Sequence, residues 1–140
     1  MTKRRKKSTN SQRSAIVTMC VLGLLVVSSG SFAAAESSSI VPAETRCGWF
    51  SNPTPANASL YDREDEWIIS VQGGHQADGD WPEFGKGQWV ETNGHHGYGC
   101  ACMQVNVDRN EHRVIKILSA TAKSLATCRR DTSLKRWGFK

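Results

Sequence analysis

Cys100 and Cys102 stand one residue apart, with Cys47 far upstream and Cys128 downstream, and no other feature constrains the chain so strongly. In an extended segment, residues i and i+2 share a face with Cα atoms about 6.5–7 Å apart, at or beyond the reach of a disulfide. The two therefore reach outward rather than toward each other. Two pairings remain open: Cys47–Cys100 with Cys102–Cys128, or Cys47–Cys102 with Cys100–Cys128. Either one ties the N-terminal segment and the C-terminal tail to a single central strand. Each bridge closes a loop of tens of residues, worth roughly 3–4 kcal/mol in the chain-entropy model. In a domain this short the core is modest, and two bridges carry much of the net stability. A sharper reading makes Cys100-Ala101-Cys102 a strained, reducible pair in a thiol–disulfide exchange protein. No helix N-terminus is evident beside it to lower a thiol pKa, and no βαβ units accompany it. The spacing also matches no Cys-x2-Cys zinc knuckle, so no metal is expected.

Disulfides belong to an oxidising compartment, and the first 35 residues supply the route to one. Lys3 to Lys7 form a basic start, Ala15 to Val27 an apolar run, and Ala33-Ala34-Ala35 a small-residue cleavage site. This pattern predicts a cleaved signal peptide over residues 1–35, cut between Ala35 and Glu36. The apolar run is about a dozen residues, short of the roughly 18–20 an anchor needs, so no integral span is expected after cleavage. Cys20 follows Met19 inside the apolar run, the wrong context for lipidation. The expected location is the periplasm or the extracellular space.

The leader also accounts for the net charge of +5. It holds six of the 18 basic residues and no acid, leaving twelve bases against thirteen acids in the remainder. A basic nucleic-acid binder is thereby disfavoured. The residual charge is split: residues 36–108 sum to −8 and residues 109–140 to +7. Attraction between the two halves across one fold is the simpler explanation. The alternative is a basic tail (Arg129, Arg130, Lys135, Arg136, Lys140) lying on anionic lipid, as in a structural envelope protein.

Residues 36–45 are Ser-rich and expected to be a disordered lead-in, followed by one disulfide-stapled domain over 46–140. Two prolines in Ser51–Pro55 point to an extended or turning path. Trp67 to Gln72 alternates as a strand, with Trp67, Ile69 and Val71 on one face. A glycine-rich stretch over 73–99 includes a short strand near Trp89-Val90. Cys100 to Val107 alternates cleanly, with Ala101, Met103, Val105 and Val107 on one side. Asp108 to Glu111 reads as a turn and Arg113 to Ser119 as the returning partner strand, before a tail of one or two helical turns or a loop. The expected fold is mainly β: a small sheet or compact barrel with long Gly-rich loops.

Several segments carry a resemblance together: Cys47-Gly48-Trp49-Phe50, Asn52-Pro53-Thr54-Pro55-Ala56-Asn57, Gln72-Gly73-Gly74, Thr92-Asn93-Gly94, Gly97-Tyr98-Gly99-Cys100-Ala101-Cys102, and Cys128-Arg129 with Asp131. In this order they resemble a family of small exported bacterial proteins known only as a domain of unknown function, DUF4087. The likeness spans roughly residues 45–135. It implies an envelope or secreted domain and adds no chemistry.

Motifs for catalysis are sparse. His95-His96 would point to opposite faces if extended, and His75 with Asp78 or Asp80 lacks metal-ligand spacing. Four acids at Asp62, Glu64, Asp65 and Glu66 read as a solvated turn rather than a catalytic pair. There is no Gly-x-Ser-x-Gly elbow, no P-loop and no dinucleotide loop. No catalytic residue and no cofactor is therefore assigned. Among the aromatic residues, Trp67 and Trp49 are expected in the core. Trp81, Phe84 and Trp89, set among glycines and acids, are candidates to contact a ligand together with His95. The function so implied is a monomeric, non-catalytic exported module that binds or inhibits an envelope protein or binds a glycan through the loop from Gln72 to Tyr98.

Overall fold

A computed structural model describes residues 42–140. The expected signal peptide, its Ala35–Glu36 junction and Cys20 lie outside the described residues, as does most of the lead-in. Six strands follow in chain order: β1 (Glu44–Thr54), β2 (Asn57–Tyr61), β3 (Glu66–Ser70), β4 (Trp89–Asn93), β5 (His96–Asp108) and β6 (Arg113–Lys123). A short helix α1 (Leu125–Arg130) and a 3-10 turn (Thr132–Trp137) complete the chain. β1 begins at Glu44, so the last two residues of the expected lead-in are already strand.

The strands form one mixed sheet in the order β1-β2-β3-β6-β5-β4, and β1 additionally pairs with β5. All neighbours are antiparallel except β3 and β6, which meet in parallel at the single pair Ile68 and Arg113. The sheet thus curls back on itself without becoming a clean barrel. Its weak seam is patched by the loop after β3. Gln76 pairs with Ser70, and Asp78 pairs with Lys116. Asp78 donates its N–H to Ile115 at 3.0 Å and accepts from Ile117 at 2.7 Å, so the loop lies alongside β6. Register shifts in β5–β6 and β1–β2 add the local twist that such curling requires.

The alternation in β5 is borne out: Ala101, Met103, Val105 and Val107 are all buried. They pack with Phe50, Leu60, Trp67, Ile69, Val114 and Ile117 inside the curl. Val71 does not join them. β3 ends at Ser70, the chain turns toward Gly73 at positive φ, and Val71 is 42% exposed. Adjacent Trp49 and Phe50 project to opposite faces of β1, as strand geometry dictates. Phe50 enters the inner core, and Trp49 heads a second cluster with Cys100, Cys128 and Leu134. Tyr61, Tyr98, Trp137 and Phe139 pack against that cluster, so the tail covers the outer face of β1 and β5.

Two bridges hold this arrangement: Cys47–Cys102 across directly opposed positions of β1 and β5, and Cys100–Cys128 from β5 to α1. Of the two pairings open on sequence grounds, this is the second. Register decides it: Cys47 stands opposite Cys102 and Trp49 opposite Cys100, so β1 takes the Cys102 sulfur and leaves Cys100 to the covering tail. The path through Ser51–Pro55 is extended as far as Thr54, and the turn to β2 passes Ala56 at φ 56°.

Candidate functional site

The four residues singled out as contact candidates come together. Trp81, Phe84, Trp89 and His95 line one groove of about 460 Å³, with Phe50, Asn52, Ala56, Pro82 and His96. Phe50 is its buried floor, with ring centroids 5.6 Å from Trp81, 5.8 Å from Phe84 and 6.3 Å from Trp89. Phe84 and Trp89 pack at 4.8 Å. These tilted and edge contacts are the arrangements that aromatic quadrupoles favour. The three outer rings are half-buried, with one surface in the core and the other in the groove.

Glycines position these rings. A β-carbon at Gly99 would sit 2.3 Å from the Phe84 ring, so Phe84 packs where a side chain would otherwise stand. One at Gly97 would sit 1.9 Å from the Val90 carbonyl oxygen, and β4 therefore approaches β5 closely there. Both glycines belong to the Gly97-Tyr98-Gly99 run. Two more close approaches lie outside the groove, 2.0 Å to the Tyr61 carbonyl oxygen at Gly48 in β1 and 2.2 Å to the Ile117 carbonyl oxygen at Gly79.

Polar groups fix the groove's rim. The Trp89 indole Nε1–H donates to the His95 carbonyl at 3.1 Å. His96 Nδ1 is paired with the Asn52 side-chain oxygen at 2.6 Å. The adjacent histidines do not diverge as an extended pair would. Gly94, at φ 59°, turns the chain between β4 and β5, and the two rings lie 4.2 Å apart on the same groove. Phe50, Asn52 and His96 were not among the sequence candidates. Strand alternation from Trp49 was the available signal for Phe50, whereas Asn52 pairs with His96 across a sequence separation of 44.

Other sequence candidates fall elsewhere. Cys100 and Cys102 are bridged to different partners, so the expected alternative of a vicinal redox pair is not formed. His75 Nε2 is 2.8 Å from the Val114 carbonyl and serves to dock the loop. Among the described residues no three His, Cys, Asp or Glu side chains converge on a metal position.

The acidic turn is not wholly solvated. Asp62 is buried, and its Oδ2 accepts from Arg46 at 2.5 Å, while its Oδ1 accepts from the backbone of Glu64 and Asp65. Arg46, only 4% exposed, also donates to Glu44 and Glu64 and lies 3.7 Å over the Trp67 ring. Burial pulls the Arg46 pKa down, but the hydrogen bonds to Asp62, Glu44 and Glu64 outweigh it, and the net direction is up. This is a structural knot rather than an acid/base pair. Arg109 joins it through Glu44, and Arg136 donates to the Glu64 carbonyl at 2.7 Å, so part of the basic tail is spent inside the molecule.

Taken together, the fold and groove define a class: a small, disulfide-stapled curled sheet that presents an aromatic groove beside a glycine-rich loop. The chain belongs to the family described as protein of unknown function (DUF4087), whose model matches residues 41–135. The motif string read from the sequence falls within that match. No curated protein and no solved structure matches the chain.

Proposed function

We propose that the protein is an exported, non-catalytic binding module, and that its groove receives an apolar or aromatic side chain of an envelope protein. The observation that carries this is the convergence of Trp81, Phe84, Trp89 and His95 on one groove over Phe50. A volume of about 460 Å³ lies in the range of sites that hold a small ligand or an anchoring side chain. Tryptophans seated in a rigid, partly dry pocket are the residues that dominate binding energy at such sites. Two disulfides fit work in an oxidising compartment, the periplasm or the exterior. No helix among the described residues is long and apolar enough to cross a membrane.

A protein partner suits the groove better than a glycan. A stacked sugar needs free polar groups around the indole, and here Asn52 and His96 already bind each other while the Trp89 N–H is taken. Binding of this kind could inhibit a hydrolase, as a plug, or tether the module to a partner. A photo-crosslinking amino acid at Trp89, with one at Trp137 as control, tests the proposal in the living envelope. A discrete protein adduct at position 89, lost on Trp81→Ala, is expected. Adducts that form equally at 137, or only with glycan strands, would overturn it.

A further inference from the structure

The second half of β6 has an open edge. Among the described residues its outer side meets no strand beyond Ile117: β3 touches only Arg113, and the loop's backbone pairing ends at Asp78. Among the described residues the segment from Ser119 to Lys123 pairs with β5 on its inner side alone, and Leu118 is the extra residue at the register shift between Ile117 and Ser119. An unpaired edge presents a row of backbone donors and acceptors ready for another strand. At the head of this edge stands Leu118, 48% exposed and among the large hydrophobic residues most open to solvent in the described domain.

The edge is walled rather than flat. A cleft of about 630 Å³ runs between Ala120, Thr121 and Ala122 on one side and Asp80, Trp81, Glu83 and Gln88 on the other. A smaller hollow of about 300 Å³ continues it past Gly79 toward Ile117, Leu118 and Ser119. No basic residue lines either part, and neither Asp80 nor Glu83 takes part in a salt bridge within the described domain. Two carboxylates beside an indole are suited to an ammonium or guanidinium group, by charge and by attraction to the ring face.

We propose that the open edge of β6 accepts an extended peptide from a partner protein, added as a further strand, with a Lys or Arg side chain of that peptide held by Trp81, Asp80 and Glu83. Backbone pairing would supply affinity, and the acidic cleft would select the cationic side chain at one alternate position. Trp81 is shared with the aromatic groove, but Asp80 and Glu83 line this cleft alone and Phe84, Trp89 and His95 the groove alone, so variants at those positions test the two surfaces separately.

The experiment is a selection of random seven-residue peptides displayed on phage against the disulfide-intact domain, followed by amide hydrogen exchange with the synthetic winners. The expected winners carry Lys or Arg, protect amides within 118–123, and bind about tenfold more weakly to the Asp80→Asn, Glu83→Gln double variant, a charge-assisted contact's share. Trp89→Ala should leave them bound. Both acids are exposed, so the double variant keeps its fold, checked by circular dichroism. A selection without winners, winners without cationic residues, or protection confined to the aromatic groove would overturn the proposal. So would sedimentation showing that this edge pairs with a second copy of the chain.

Discussion

At the scale of single residues, Asp62 and Gly99 carry the most weight. Asp62 is both the partner of a buried guanidinium and the acceptor that closes the turn into β3. Removing one member of a buried pair strands the other's charge, a loss of about 3–5 kcal/mol. Arg46 keeps Glu44 and Glu64, so Asp62→Ala should fall near the low end, about 3 kcal/mol in urea denaturation, with Asp62→Asn milder. Gly99 works by absence. An alanine there would meet the Phe84 ring at 2.3 Å and the Gln88 carbonyl at 2.7 Å. Gly99→Ala should destabilise by about 1–3 kcal/mol, as overpacking does, and should displace Phe84. Shortening the ring by Phe84→Leu in the same chain should recover part of that loss, which thermal melts of the single and double variants would show.

At the scale of elements, the tail is a covering layer whose seating depends on Tyr61. Its ring lies 5.1 Å from both Trp137 and Phe139. Burial, with a hydrogen bond to Glu66, pushes the Tyr61 hydroxyl up to about 12. The folded state therefore keeps a proton that the unfolded chain releases near its ordinary value of about 10. The stability this gives is complete below pH 10 and is lost as pH rises through 12. Tyr61 is half-exposed, so solvent screening holds the contribution to about 1 kcal/mol. Tyr61→Phe should flatten the alkaline limb of stability, measured by denaturation across pH 9 to 12.

The elements also mark what could be read in advance. The alternation of β5, the turn at Asp108 and the return of β6 follow local patterns and are found, but β6 runs on to Lys123, four residues past the expected end at Ser119, so of the tail expected as helical turns or a loop only Leu125–Arg130 is α-helix. β2 was missed because five residues, Asn57–Tyr61, hold too little alternation to stand out. The reach of β1 was obscured by Pro53, which the strand tolerates at its exposed end. Of the groove, the loop aromatics were legible by their setting among glycines and acids. Phe50, Asn52 and His96 were not, because strand pairing between β1 and β5 brings them there.

At the scale of the whole molecule, two bridges of unequal exposure staple a curled sheet whose β3–β6 seam is a single pair. Cys100 and Cys128 are buried under the tail, whereas Cys47 is open to solvent. A thiol must reach a sulfur to exchange with it, so mild reductant should open Cys47–Cys102 first. Alkylation and peptide mass should find Cys100–Cys128 intact until the tail lifts. Replacing Cys100 and Cys128 together by Ser should cost about 3–4 kcal/mol for a loop of this length and expose Trp49. The staples serve a rigid groove, and that groove is the central claim. Its most direct test is a titration of the disulfide-intact domain with small aromatic fragments, followed on the tryptophan indole N–H signals by NMR. Fragments that shift Trp81 and Trp89 together, with Trp49, Trp67 and Trp137 still, are the predicted result. Fragments that leave Trp81 and Trp89 unmoved, or that bind at the Arg46 knot instead, would contradict it.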